Sequence, residues 1–522
     1  MNRQLFTAPA VAVANTTNEA HGRAYTMTND MAVLQLAVTG TFNDTYYTEA
    51  KTQLDEMKKL VDACSTEWLA RVAIYSRQHG FMKDMPAYLT AYLSTRPEKD
   101  IFNYTFDRVI DNVGMARTFV QMLRSGTVGR KSMGTSPKNA VSRLLNRLGG
   151  DKVFFQCAGT EPSIKDVLRL THPKPANAEM DALFGYLLEK DHQFEALPST
   201  VRAFEDFKAS RITEVPHVDF RRLTALTLTP EQWIGVGRQM TWNQLRMNLN
   251  TLARHGCFSD QEFVKYADSR IRDVEAVKRQ KVLPFALYSA IQNADAGVPN
   301  SIKEALGFCL DQSLLNAPEL AENTLILTDS SGSMSSPVTG YRPGQTSMTC
   351  VTAASYFAAS LLKRNPNRVT VIPFDTAVHP VPLNPRDSVE SITRALARGG
   401  GGTDVACGIM YALTQGAKWK NILIISDNES WFDGTARGTY AYRNGSTGTA
   451  GAWDNYKKAH KGAKLVCWDI APTMTTQVKN DRSVLNIGGF TESAYDLVGN
   501  WFSTNTEDSW RKLVNEIPVR NT

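Results

Sequence analysis

The stretch Asn323-Thr-Leu-Ile-Leu-Thr-Asp-Ser-Ser-Gly-Ser333 decides the fold. Residues 324–328 are apolar or β-branched at every position, the pattern of a strand covered on both faces rather than one with a wet side. The run stops on a carboxylate and hydroxyls, as a parallel strand does where it hands over to a polar loop. Runs of the same kind recur at 368–374, 421–426 and 463–468. Helices are expected between and after them, at 347–363, 387–397, 404–418 and 506–517. Buried strands alternating with helices give a doubly wound α/β domain with a parallel sheet, spanning 319–522.

In such a sheet the loops at the carboxyl ends of the strands face one crevice. Three of them here carry hard oxygen donors. The first places Asp329, Ser331 and Ser333 two residues apart, with Gly332 permitting a tight turn. The glycine-rich loop 399–404 presents Thr403, and the strand end Ser426-Asp427-Asn428-Glu429 presents Asp427. Two carboxylates with hydroxyls and room for water suit Mg²⁺ better than a metal that prefers nitrogen or sulfur. One coordination position is expected to stay open for an acidic side chain from a protein ligand. An isolated Asp-x-Ser-x-Ser also serves as an Asx turn or helix cap; the other two loops, each after a fitting strand, argue for the metal.

Before residue 319 the rhythm is different. Residues 25–318 offer helical stretches separated by Gly, Pro, Ser or Asn breaks, such as 67–78, 86–93, 230–255 and 260–280. The first is expected to end on a glycine C-cap at Gly80, and the next has proline near its start. Little alternates as a strand would, so an α-helical array of antiparallel pairs is expected, without a period strict enough to define a repeat. Residues 1–24 read as an N-terminal tail.

The totals fit this division. A chain of 522 residues exceeds one hydrophobic core. With 42% hydrophobic and 21% charged residues it is neither disordered nor fibrous. No run is long and apolar enough to span a bilayer. The 7 cysteines are scattered, without a Cys-x-x-Cys pair, which points to free thiols in a reducing compartment and a cytoplasmic protein. Residues 5–14 end in Ala-Val-Ala but contain a proline and follow only Arg3, so they are not read as a secretion signal.

The net charge of +6 is spread thinly, so only a local cluster could argue for nucleic acid. One exists: between Arg124 and Lys152 seven basic residues, among them Arg130, Lys131, Lys138, Arg143 and Arg147, face only Asp151. A helix begun by Ser136-Pro137 and running to Leu148 would hold Lys138, Arg143 and Arg147 on one side and Ala140, Val141, Leu144, Leu145 and Leu148 on the other. The bland alternative is an ordinary solvated face. A second short helix, 165–171, starts with Ser163 and Asp166 in capping-box register and must stop before His172-Pro173. It aligns Lys165 with Arg169, and His172 and Lys174 follow its end.

Asp329-Ser-Ser-Gly-Ser333, Gly401-Gly-Thr-Asp404 and Ser426-Asp-Asn-Glu-Ser430 resemble the metal-ion-dependent adhesion site of a von Willebrand factor A domain. Asp427-Asn-Glu-Ser-Trp-Phe432 and Leu485-Asn-Ile-Gly-Gly-Phe490 resemble, more narrowly, the A domain of the Ro (SS-A) ribonucleoprotein family. Gly40-Thr-Phe-Asn-Asp-Thr-Tyr-Tyr47, Gly80-Phe-Met-Lys-Asp-Met-Pro86 and, closest, Lys165-Asp-Val-Leu-Arg-Leu-Thr-His-Pro-Lys-Pro175 resemble its helical TROVE module. The resemblance implies HEAT-like repeats closed into a monomeric ring by the A domain, with metal ligands at Asp329, Ser331, Ser333, Thr403 and Asp427. It also implies a non-catalytic protein of RNA quality control. Small non-coding Y RNA would bind outside the ring, at a surface that includes His172, and single-stranded 3′ ends would enter the hole. A 3′-exoribonuclease is the partner implied by bacterial relatives.

The sequence departs from that pattern twice. Val153-Phe-Phe-Gln-Cys-Ala-Gly-Thr160 stands where some relatives are basic, which weakens the case for Y-type RNA relative to single strands. A glycine-rich insert, 433–455, lies beside the metal face. A metal-dependent protein-interaction scaffold without RNA is the competing reading. An enzyme is not expected, since no Gly-x-x-x-x-Gly-Lys loop and no general base accompany the site, His379 being a loop residue.

Overall fold

The computed structural model describes residues 13–520 except 40–49, 81, 159–162, 281, 283, 315, 316, 339–347, 399, 431–445, 472, 474, 490, 491 and 504–508. Gly40-Thr-Phe-Asn-Asp-Thr-Tyr-Tyr47 lies outside the described residues.

Eight strands are described: β1 (Thr16–Thr17), β2 (Arg23–Thr26), β3 (Thr324–Asp329), β4 (Val369–Phe374), β5 (Asn421–Ser426), β6 (Lys464–Asp469), β7 (Thr475–Thr476) and β8 (Val484–Gly488). Five form a parallel sheet in the order β4-β3-β5-β6-β8. β3, β5, β6 and β8 are buried along their whole length, as the apolar runs of the first three led one to expect. Helices Cys350–Arg364, Val389–Leu396 and Ala406–Thr414 fall inside or close to the expected spans.

The other three strands form a small antiparallel sheet, β1-β2-β7, that fastens residues 15–26 to the A domain. The sequence offered only a tail there. β8 and helix Glu492–Ser503 are also additional to the elements read from sequence. The far end of the glycine-rich insert is ordered as well: helix Gly448–Ala459, capped by Thr447, packs against Ala406–Thr414.

The helical part runs from Asn29–Thr39 to Asn300–Ser313, with many of its described helices packed on near neighbours in sequence. Stretch 67–78 is helix Thr66–Gln78. It does not end on a left-handed glycine: His79 caps it in right-handed geometry, and both His79 N and Gly80 N donate to Tyr75 O. Gly80 is required for space instead, because a Cβ there would stand 2.8 Å from Ser76 O. Stretches 230–255 and 260–280 break into shorter helices at Met240, Asn248 and Arg272.

Both ends of the array meet the A domain. Asn29–Thr39 packs on β8, where Gly488 leaves room for Gln35, and Thr66–Gln78 packs on Ser509–Asn515. At the other end Pro284–Gln292 packs on Cys350–Arg364, with the Tyr288 and Tyr356 rings 4.9 Å apart. The helices therefore leave the A domain and return to it, closing a ring.

Candidate metal centre and basic surface

β3 and β5 end side by side; the glycine-rich loop follows helix Val389–Leu396 rather than a strand, but Asp404 N donates to Asp375 O at 2.9 Å just past β4, so the three predicted loops still form one cluster. Ser331 N donates to Asp329 Oδ1 at 2.8 Å, folding the loop back on its first carboxylate. Gly332 N donates to Gly401 O at 3.0 Å, which ties the glycine-rich loop to the first. Ser331 and Ser333 hold their hydroxyls 3.2 Å apart, and Ser333 also hydrogen-bonds the Asp427 carboxylate. Asp329, Ser331, Ser333, Thr403 and Asp427 are all buried.

Burial pushes the Asp329 carboxyl above its ordinary range, and the charge of Asp427 pushes it further; Asp427 is raised by burial too. Among the described residues no Lys, Arg or His pairs with either. Two buried carboxylates without a counter-charge are costly unless something cationic offsets them. No three His, Cys, Asp or Glu side chains come together as ligands among the described residues. The donors on offer are two carboxylates and hydroxyls, a set that fits Mg²⁺ and not a nitrogen- or sulfur-seeking metal.

Several supporting residues were not read from the sequence. Ser426 Oγ donates to Asp329 Oδ2 at 2.5 Å and accepts from Asn428 N. Ser430 Oγ accepts from Val405 N and donates to Thr403 O, joining the second and third loops. Glu429 is fully buried and its carboxyl is raised to about 7 by burial, then by the charge of Asp427. Asp469, at the end of β6, is raised well above the usual range by burial and by Glu429 and Asp427, and its Oδ2 has no hydrogen-bond partner. Ser426 and Ser430 could have been suspected from their places flanking Asp427. Asp469 could have been suspected as the next carboxylate at a strand end.

His379 lies in the loop after β4, half-exposed, with Nε2 2.8 Å from Asp375 Oδ1. Burial would raise Asp375, but hydrogen bonds from His379 and Ala377 N more than offset it and hold it below its ordinary value. Asp375 backs the glycine-rich loop: a Cβ on Gly401 would stand 2.7 Å from its carboxylate.

Of the basic residues, Lys138, Arg143 and Arg147 lie on helix Thr135–Leu148, whose opposite face buries Ala140, Val141, Leu144 and Leu145. Gly134, not Ser136, is its N-cap, without a side-chain hydrogen bond. Arg143 donates to Asn103 Oδ1, and both Arg143 and Arg147 stand near Asp107, at 3.6 and 3.7 Å. Both remain about half exposed. Helix Ile164–Thr171 has the expected Ser163–Asp166 capping box, exposes Arg169, and ends on exposed His172 in left-handed geometry, φ 46°.

Asn146 joins the two basic segments: its Nδ2 donates to Lys174 O and its Oδ1 accepts from Ala176 N, both at 2.9 Å. Lys131 is exposed nearby in sequence. Arg130 and Lys165 are engaged elsewhere. Arg130 is part-buried and donates to Ser94 Oγ and Met133 O; Lys165 pairs with Glu189.

Residues 323–502 match the family model of the Ro60 vWA domain. Over those residues the chain is similar to that domain. It is similar to the RNA-binding protein RO60 of Deinococcus radiodurans, 24% identical over 343 residues. That match covers 63% of this chain and 57% of the relative. The crystal structure of the Ro (Rsr) protein of D. radiodurans shares the fold with a TM-score of 0.62, at 20% identity, over 92% of this chain and all of that one. The chain thus shares with that structure a helical region followed by a parallel-sheet domain.

Proposed function

We propose that this chain is a non-catalytic RNA-binding protein of Ro type. It binds small non-coding, Y-like RNA and the single-stranded 3′ ends of structured or misfolded RNA, as a cytoplasmic scaffold of RNA quality control or processing. The observation that carries this reading is the Asn146 junction, which ties the helix bearing exposed Arg143 and Arg147 to the segment that follows exposed Arg169 and His172 and carries Lys174. Phosphate contacts dominate such affinities and position the strand without reading its sequence. The name of the Deinococcus relative supports the same reading.

Asp329, Ser331, Ser333, Thr403 and Asp427 would hold Mg²⁺, which when bound would supply an electrophilic docking point for an acidic group of a protein ligand, a 3′-exoribonuclease being one such partner. Ser426 and Ser430 orient the donors, and the buried sheet keeps bulk water off them.

Electrophoretic shift of a duplex with a single-stranded 3′ tail, against a blunt duplex at rising salt, tests RNA binding. A shift that weakens with salt is expected; its absence at low salt refutes the proposal. Arg143→Glu with Arg147→Glu should weaken binding across sequences and lower the salt slope by about 1 for each phosphate no longer neutralised. The pairing of both arginines near Asp107, and of Lys165 with Glu189, favours one alternative, a metal-dependent protein scaffold whose helices bind protein. That alternative predicts metal-dependent ligand binding with no RNA shift.

A further inference from the structure

The metal-loop cluster is not supported by the A domain alone. Residues 15–26 fold as a hairpin in which Thr16 faces Ala24, and β2 pairs with β7 through Tyr25 and Thr476. Its turn is closed by Asn18, whose Oδ1 accepts from Gly22 N at 2.6 Å, and His21 takes left-handed geometry. The tip of this turn is inserted against the third metal loop. Asn18, only 4% exposed, donates from Nδ2 to Ser430 O at 2.9 Å. Ala20 N donates to Glu429 Oε2 at 3.3 Å, while Thr473 Oγ1 holds the other oxygen at 2.8 Å.

These contacts reach the proposed ligands in two steps. Ser430 continues through its hydroxyl to Val405 N and Thr403 O, and Glu429 N donates to Asp427 Oδ1. Between them Asn428 adopts φ 61°, the left-handed geometry that Asn tolerates better than other non-glycine residues and that turns the loop toward the hairpin. Asn18 and Ala20 hold the far side of that loop.

We infer that the hairpin tip, Asn18 to Ala20, is a positioning element of the metal centre: it fixes Ser430 and Glu429 and through them Thr403 and Asp427. The same hairpin runs into Asn29–Thr39, the first helix of the ring, so the metal face and the ring share one continuous segment. This rests on the proposed metal centre.

The test uses the full chain with Mn²⁺ alone as a paramagnetic stand-in for Mg²⁺, its binding followed by electron paramagnetic resonance. Asn18→Ala removes both the turn closure and the clamp. Asn18→Asp keeps an oxygen for Gly22 N, loses the donor to Ser430 O, and adds a negative charge that by itself would attract the cation. Both variants should raise the Mn²⁺ Kd, by about five- to tenfold, the size of one missing hydrogen bond. Thr17→Ala, on an exposed strand position, should bind as the wild type does. Asn18→Asp binding as tightly as wild type, or more tightly, overturns the inference. So does an unchanged Kd in Asn18→Ala when hydrogen exchange shows residues 15–26 released. If the wild type itself fails to bind Mn²⁺, or Asp329→Ala binds equally well, the metal centre falls and this inference with it. If only the Asn18 variants match wild type, the centre stands and the inference alone falls.

Discussion

Asp329 and Asp427 lie buried at the ends of β3 and β5 without a cationic partner among the described residues, and pH should expose that. Burial raises Asp329, Asp427, Glu429 and Asp469, Glu429 to about 7. In the unfolded chain such groups lose their protons near pH 4. The folded metal-free protein holds them longer, so stability from this cluster is full below about pH 4 and is lost as pH rises toward 7. The proposed Mg²⁺ would bind the ionised form, so its stabilisation should grow over the same interval. Melting temperature against pH, in EDTA and in Mg²⁺, should show two curves that diverge as pH rises. Asp329→Asn should melt about 2–4 °C above wild type in EDTA at pH 7.5 and gain nothing from Mg²⁺; parallel curves, or a gain from Mg²⁺ in the variant, would refute the paired-carboxylate account. That Asp329 and Asp427 would come together was legible because each falls at the end of an apolar run. Their supports were not: Glu429 is buried by Ala20 and Thr473, residues that only the fold brings to it.

Among the elements, the strands of the parallel sheet were the most readable, since complete burial leaves an unbroken apolar run. β8 was obscured by Asn486, whose amide satisfies Val478 O and Asn480 Oδ1 rather than exposing a polar face. Helix Gly448–Ala459 was obscured by the glycines around it, and the end of Thr66–Gln78 by a glycine chosen for space rather than for left-handed geometry. Space also governs Gly408, in Ala406–Thr414, where a Cβ would stand 2.4 Å from Leu327 Cδ1 of β3. Gly408→Ala should destabilise the A domain by about 1–3 kcal/mol through overpacking, read by denaturant melts; a neutral result would mean that Leu327 can repack. In the basic region the structure separates two kinds of arginine that the sequence could not. Arg130→Ala should lower the melting temperature with little effect on the salt slope of RNA binding, because its guanidinium holds Ser94 and Met133. A slope lowered as much as by Arg143→Glu would return Arg130 to the RNA surface.

At the scale of the molecule, the helical rhythm predicted an array but not where its ends go, because closure depends on contacts between residues hundreds of positions apart. The two seams are chemically different. The far one is aromatic, Tyr288 against Tyr356. The near one joins Asp30 to Arg511, and Glu67 and Asp100 to Arg520, around a close approach of the first helix to β8. Exposed ion pairs contribute little at physiological salt, so the near seam depends on the helix-to-strand contact, where Gly488 admits the buried Gln35 side chain; a Cβ would stand 2.7 Å from Gln35 Cγ. Gly488→Val should therefore displace Asn29–Thr39 while leaving the far seam intact. Hydrogen exchange should quicken in residues 29–38 and stay as in wild type in Pro284–Gln292 and Cys350–Arg364. Because residues 15–26 continue into that helix, displacement should pull on Asn18 and raise the Mn²⁺ Kd without altering any ligand. Unchanged protection of 29–38 would show that Gln35 simply rotates away. Faster exchange there with an unchanged Kd would show that β2–β7 pairing insulates the metal face from the ring.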